Sequence, residues 1–309
     1  MAKMIEARLT DEFIGPGKIP GIIHSKFRTV LNILFKMPSG ANRLITIITP
    51  GTDGIPDSIT VPEDYFERIA LLPAGCKLFC ENLVIYFDNV SETLKGDILC
   101  IRQSALNIKK TAEADQIHLN LLRYLEALDT YSLKVRRDNG FSVLGAERKN
   151  EVSWDMRHFA GAWLKHDIAG MERILLKNAG LGIGLTPSCD DAFLGIIALY
   201  SGAKLFASIH EGWSYKSLER WSRLPSVGCL PPFSRLLSNR TTDISLKYLC
   251  CSQEGRFSDA VIKLVEAVFS GVGKDLEACI ESVSLVGESS GMDLLFGTEA
   301  ACRELLSTN

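Results

Sequence analysis

The sequence predicts an α+β protein: a β-rich N-terminal part, residues 1–105, forming a sheet or small barrel, followed by a mainly α-helical part, residues 106–309, that carries a glycine-rich motif. Three observations lead there. Short β-branched and apolar runs, broken by Gly and Pro, fill the N-terminal third. From about residue 104 the apolar period lengthens to that of a helix, and beyond residue 150 apolar stripes at helical spacing dominate.

Residues 29–35 and 44–49 read as strands, with Pro-Ser-Gly-Ala-Asn at 38–42 as the turn between them. Residues 58–61, 76–80 and 83–87 continue the pattern, Glu81 and Asn82 form a tight connection, and a short helix over 63–72 interrupts. This spacing fits a mostly antiparallel sheet. In the second part, Leu119, Leu122, Leu125 and Leu128 mark a helix over 112–131. The basic cluster of Lys134, Arg136, Arg137, Arg148 and Lys149 around Gly140 is diluted by Asp138 and Glu147, and reads as a solvated loop rather than a phosphate patch. Phe257, Val261, Leu264, Val265, Val268 and Phe269 form one apolar stripe, and Leu276, Ile280 and Val283 a second; Gly271 and Gly273 divide them into a helical hairpin. Residues 192–200 are apolar on every side, the pattern of a central helix buried all round.

Composition narrows the class without naming a function. Apolar residues make up 46% and charged residues 23%, which excludes a disordered or collagen-like chain. Lys+Arg 34 against Asp+Glu 37 leaves a charge of -3, so no basic excess points to nucleic acid. The apolar run at 192–203 ends at Lys204, short of the roughly 20 residues a bilayer requires, and the first residues, with Lys3, Glu6, Arg8, Asp11 and Glu12, lack a signal-peptide core. None of the nine cysteines forms a Cys-x-x-Cys pair. A cytoplasmic protein with reduced, structural thiols is expected, with neither a membrane nor a nucleic-acid partner.

Three helix starts concentrate the polar chemistry. Gly-Leu-Gly-Ile-Gly-Leu-Thr-Pro-Ser-Cys-Asp-Asp at 180–191 runs straight into the central helix. Gly180 suits the end of the preceding helix, Pro187 a first helical position, and Ser188 with Asp191 has capping-box spacing. Thr241, Thr242 and Ser245 open a second helix; Ser289, Ser290, Gly291 and Asp293 open the last, with the same Ser-x-x-Asp spacing. Each start taken alone is an ordinary cap. If the three meet, their N–H groups, hydroxyls and carboxylates line one polar site.

The glycine loop lacks the Gly-Lys-Ser/Thr of a Walker loop, and Pro187 stands where a dinucleotide fingerprint needs its third Gly. A helix dipole gives a bound anion at most about 2 kcal/mol, whereas one carboxylate about 5 Å away costs roughly 3 kcal/mol at an effective dielectric of 20. A phosphate here therefore requires a cation: Mg²⁺ on Asp190, Asp191, Asp243 or Asp293, or a Lys or Arg from elsewhere, a partner chain included. Otherwise the carboxylates only cap. Cys189 at a helix start is opposed as a nucleophile by its two flanking carboxylates. His24, placed before the first strand, is the best-situated histidine for acid–base work, ahead of His118, His158, His166 and His210.

The motif at 180–191, with Thr-Thr-Asp-Ile-Ser at 241–245, Glu-Gly-Arg-Phe at 254–257, Ser-Ser-Gly-Met-Asp-Leu-Leu-Phe-Gly at 289–297, and His24, Ser25, Phe27 and Asn32 near the start, resembles the AllH-like family. The resemblance implies a subunit of oxamate carbamoyltransferase from purine (allantoin) breakdown, working with other subunits to move a carbamoyl group between an N-carbamoyl compound such as oxalurate and phosphate, giving carbamoyl phosphate. Other members of the family are described as carboxylase-type subunits. Cys189 stands where the family motif has Gly, and Glu288 where many members have His. On this reading Gly182, Gly184, Thr186 and Ser188 shape an oxyanion or phosphate site. The hydroxyls of Thr241, Thr242, Ser245, Ser289 and Ser290, with Gly291, hold the ligand, while His24, Asp190, Asp191 and Asp293 are the catalytic candidates and Asp190 and Asp191 the metal candidates. The alternative is a non-catalytic scaffold or ligand-binding subunit whose motifs cap helices and build a partner interface.

Overall fold

A sheet-bearing N-terminal part and a helical C-terminal part are both present in the computed structural model, which describes residues 13, 17–82, 84–88, 93–94, 105–106, 108, 116–135, 139–210, 216–270 and 276–307. The chain divides into two compact units, Met1–Ala105 and Leu106–Asn309.

Among the described residues the first unit has seven strands: β1 (Ile19–Lys26), β2 (Val30–Lys36), β3 (Asn42–Ile48), β4 (Ser58–Thr60), β5 (Lys77–Glu81), β6 (Val84–Phe87) and β7 (Thr93–Leu94). They form one curled sheet, ordered β4-β3-β2-β1-β5-β6-β7. Every pair is antiparallel except β3 with β4. Because strand side chains alternate, Leu31, Ile33 and Phe35 of β2 share a face with Ile45 and Ile47 of β3, and helix α1 (Glu63–Ala70) adds Phe66 and Ile69 to that core.

Strand β1 was hidden in the sequence by Pro20 and Gly21, both poor strand formers. Gly21 is needed there, since a Cβ would stand 2.8 Å from the side chains of both Leu78 and Phe35. His24 consequently lies inside the first strand rather than before it, at the bulge between Ile23 and Ser25. Across the sheet a polar chain links His24 Nδ1 to Ser25 Oγ (3.1 Å), Asn32 Nδ2 to the same oxygen (3.0 Å) and Thr46 Oγ1 to Asn32 Oδ1 (2.8 Å).

The second unit contains α2 (Ile117–Lys134), α3 (Ala146–Leu164), α4 (Ile168–Asn178), α5 (Ser188–Ile209), α6 (Lys216–Ser222), α7 (Phe233–Leu236), α8 (Asp243–Gln253), α9 (Asp259–Ser270), α10 (Leu276–Ser284) and α11 (Ser290–Ser307). The buried face of α2 is Ile117, Leu121, Tyr124, Leu125 and Leu128; Leu119 and Leu122 are exposed, because their three-residue spacing drifts off the apolar stripe. Arg136, Arg137, Asp138, Gly271 and Gly273 lie outside the described residues. Arg148 pairs with Glu151, in keeping with a solvated face.

Helix α5 is the centre of the unit and runs past Lys204 to 22 residues, longer than the apolar run suggested. Its length and mean hydropathy of 1.7 would allow a bilayer crossing, yet it is wrapped by other helices and forms core. Phe193 and Tyr200 on α5 pack edge-on against Phe159 (4.8 Å) and Trp163 (5.4 Å) of α3. Its tightest neighbour is α11, where backbone meets backbone. A Cβ on Gly195 would stand 2.1 Å from Leu294 O, and one on Gly297 only 1.9 Å from Ala192 O.

Gly297→Ala is therefore expected to push the two helices apart and destabilise the protein by roughly 1–3 kcal/mol, read as a lower urea midpoint with unchanged slope.

Candidate functional site

The glycine-rich segment is built to double back. Helix α4 ends at Asn178, and Gly180 takes φ 77° with its α-carbon so close to α8's approach that a Cβ would lie 1.8 Å from Arg240 O. Gly182, at φ 126°, lies against Ser188, where a Cβ would stand 2.4 Å from the Ser188 amide nitrogen. The loop's own carbonyl, Leu181 O, accepts from Cys189 N (3.0 Å), and Pro187 O accepts from Asp190 N and Asp191 N. Pro187 is thus the cap residue and Ser188 the first helical residue, so the capping box expected from Ser188 and Asp191 does not form. The backbone satisfies the first turn, and both side chains are released for other contacts. The same holds at α11: Ser290 is already helical and Asp293 N bonds Ser289 O (3.0 Å). Of these three starts, α8 alone has an ordinary side-chain cap, Thr242 Oγ1 accepting from Ser245 N (3.1 Å).

The three helix starts meet. Asp190 ties the first to the second: Oδ1 accepts from Gly180 N (2.9 Å), and Oδ2 accepts from Ser245 Oγ (2.7 Å) and the Thr241 hydroxyl. The Thr242 hydroxyl donates to Leu185 O, fastening the loop to α8. Thr186 Oγ1 and Ser290 Oγ (2.7 Å) join the loop to α11. A fourth element, unforeseen, completes the cluster: the 3₁₀ turn Gly140–Val143, whose Gly140 N donates to Asp293 Oδ1 (2.8 Å). Nothing in the local sequence marks Gly140, which needs glycine because Ser188 Oγ, Asp293 Oδ2 and Ser289 Oγ lie 2.1, 2.9 and 2.9 Å from where its Cβ would be.

Two carboxyls and one hydroxyl in this corner are left over. Ser188 Oγ, Asp191 Oδ2 and Asp293 Oδ2 are buried with no hydrogen-bond partner, although Ser188 and Asp293 are fully buried and Asp191 is only 6% exposed. Burial pushes all three aspartates up from the ordinary carboxylate range. The hydroxyls of Thr241 and Ser245 and the Gly180 amide restrain the shift at Asp190. Asp191 rises well above its usual value through burial, restrained by the hydroxyls of Ser290 and Thr186 and raised further by the charges of Asp293 and Asp190. Asp293 reaches about 6, its rise by burial tempered by the Ser188 hydroxyl, the Gly140 amide and the Ser289 hydroxyl. Cys189 is buried, and burial with the Asp190 charge pushes its thiol up, which removes it as a thiolate nucleophile.

The other candidates have structural surroundings. A Cβ on Gly291 would lie 2.0 Å from Val283 O, so this glycine seats α11 against α10. Gly184, at φ 90°, and Glu288 are exposed, and Asp243 stands in the first turn of α8. His24 belongs to the N-terminal unit, on β1. His158 bonds Trp154 O and His210 bonds Phe206 O, each within its own helix. Both oxygens of Asp190 are engaged by protein donors, and among the described residues no three His, Cys, Asp or Glu side chains are grouped to hold a metal ion. Nearby Lys177 is held by Glu151 (2.7 Å) and Asp155 (2.8 Å).

The raised Asp293 carries a pH signature. Its folded pKa lies above its unfolded value of 3.8, so the stability it contributes is full below pH 3.8 and is lost as pH rises through about 6. Asp293→Asn keeps an acceptor for Gly140 N and removes the titration. Relative to wild type it should gain roughly 2 kcal/mol between about pH 4.5 and 7.5, measured by urea unfolding at both ends.

Comparison with known families accounts for both units. Residues 2–104 match the AllH family N-terminal domain, and residues 179–302 match the family model described as oxamate carbamoyltransferase subunit AllH. The second match contains all three helix starts; Gly140 falls between the two. No solved structure matches the chain. With the glycine loop, the Thr-Thr start of α8 and the Ser-Ser-Gly-Met-Asp start of α11 assembled in one corner, the chain belongs to the AllH family, whose name is that of a carbamoyltransferase subunit.

Proposed function

We propose that this chain is a subunit of a carbamoyltransferase assembly and that the corner where its three helices begin holds the carbamoyl group during transfer between an N-carbamoyl compound such as oxalurate and phosphate. The observation that carries the reading is the set of buried, unpartnered polar atoms, Ser188 Oγ, Asp191 Oδ2 and Asp293 Oδ2, at converging helix starts. A buried polar atom without a partner costs about 1–3 kcal/mol, which a ligand can recover.

In the transfer toward carbamoyl phosphate, a phosphate oxygen bonds to the carbamoyl carbon, the bond from that carbon to the amide nitrogen breaks, and the nitrogen takes up a proton. Negative charge gathers on the carbamoyl oxygen at the tetrahedral stage, where a preorganised hydroxyl such as that of Ser188 stabilises it. Asp293, titrating near 6, is matched to proton transfer near neutral pH. The phosphate charge needs cations. Lys177 is already neutralised by Glu151 and Asp155, so cations from another subunit complete the site in this reading. In this reading the setting is cytoplasmic, with the cysteines as reduced structural thiols.

The test is activity of the chain assembled with its partner subunits, followed as carbamoyl phosphate formed from oxalurate and phosphate. Asp191→Ala should assemble normally by size-exclusion chromatography and lose on the order of 10²-fold in kcat. Full activity with Asp191→Ala would leave this chain as a scaffold.

A further inference from the structure

We infer that Asp191 is the acid of the corner that keeps its proton at neutral pH, and that this proton is the third hydrogen of a closed ring, Asp191–Thr186–Ser290, that locks the glycine loop to α11. This goes beyond carbamoyl transfer and holds whether or not the corner binds a substrate. It comes from counting hydrogens. Thr186 Oγ1 and Ser290 Oγ bond each other at 2.7 Å, and both hydroxyls also reach the Asp191 carboxyl. Three contacts need three hydrogens, and the two hydroxyls supply only two. The missing one is the carboxyl proton. Asp191 Oδ2 makes no hydrogen bond, so the ring closes through Oδ1. Oδ1–H donates to one hydroxyl, that hydroxyl donates to the other, and the second donates back to Oδ1, each bond polarising the next.

The same count separates Asp191 from its neighbours. Asp190 accepts from the Gly180 amide and from the hydroxyls of Thr241 and Ser245, three donors with a hydrogen each. Asp293 is reached by the Gly140 amide and the hydroxyls of Ser188 and Ser289, again three. Neither needs a proton to complete its contacts. Charge points the same way. The charges that face Asp191 are both negative, Asp293 on α11 and Asp190 on α5 itself, and Cys189 beside it is a neutral thiol. The loop 181–187 and the turn Gly140–Val143 bring no titratable side chain, and α8 meets this turn of α5 through hydroxyls. Arg148 of α3 and Lys177 of α4 are paired with Glu151 and Asp155. Burial among like charges holds an acid neutral, in keeping with Asp191 lying well above its usual value while Asp293 titrates near 6. The ring is whole while the proton is bound. As pH rises through the raised value at Asp191, the carboxylate draws both hydroxyl hydrogens and the Thr186–Ser290 bond is lost.

Infrared spectroscopy of the full chain, with and without ¹³C-labelled aspartate, reads the proton directly as the carbonyl stretch of a protonated carboxyl. At about pH 7.5, above the Asp293 value, the wild type should show an isotope-sensitive band of protonated aspartate. Asp293→Asn should keep that band and Asp191→Asn should lose it. Thr186→Val takes one hydrogen out of the ring and should shift or abolish the band, which a protonated acid outside such a ring would not show. Absence of the band from the wild type, its loss in Asp293→Asn, its survival in Asp191→Asn, or a band that Thr186→Val leaves unmoved would each overturn the inference. Should Asp191→Asn fail to fold, the wild type, Asp293→Asn and Thr186→Val still decide it.

Discussion

The contact on which the second unit depends is the meeting of two helix backbones, α5 and α11, at Gly195 and Gly297. No side chain separates them there, so the helices approach more closely than ridges and grooves of ordinary side chains permit. Asp191 precedes Gly195 by one helical turn, and Asp293 precedes Gly297 by one turn. The close approach of the glycines therefore draws the two acids into one region and brings the beginnings of both helices together. Thr186 and Ser290 close the gap between the starts, and Gly140 lets the 3₁₀ turn fit over them.

Such an arrangement works against stability in a way that is informative. Buried carboxyls are retained at a cost, and their protonation is the usual response to desolvation. Asp190 avoids most of that cost with three donors, from Gly180, Thr241 and Ser245. Asp191 and Asp293 are reached by hydroxyls and by the Gly140 amide, yet each keeps one oxygen without a hydrogen bond. Within the same corner, one acid is fully satisfied while two others are not. Regions that give up stability in this manner are where binding and chemistry are commonly found.

Much of the architecture was legible from periodicity. The β-branched and apolar runs at residues 31–35 and 44–48, the all-apolar stretch at 192–200 and the stripe on α9 each follow from side chains having one face or all faces buried. Strand β1 was not, because Pro20 and Gly21 erase the strand signal and only the packing of Leu78 and Phe35 explains the glycine. The residues of the corner were legible as polar helix starts, but not their local roles: the backbone, through Leu181 O and Pro187 O, caps α5, and the side chains of Ser188 and Asp191 turn to α11 instead. Nor could sequence distinguish Asp190 from Asp191. Neighbours on a helix differ by about 100° in direction, so one faces α8 and the other α11, and only the placement of those helices gives them separate fates. Gly140 was invisible for a related reason, since its partner Asp293 is 153 residues away.

The segment 181–186 is fastened to α8 by the Thr242 hydroxyl and to α11 through Thr186 and Ser290. The same segment is held by its backbone, Leu181 donating to Asn178 O and accepting from Cys189 N, and by the Leu181 side chain packed on the core. Fixed along its length in this way, it presents the exposed Ile183 and Leu185 as a surface of set shape, so a protein laid on them would have little chain entropy to remove.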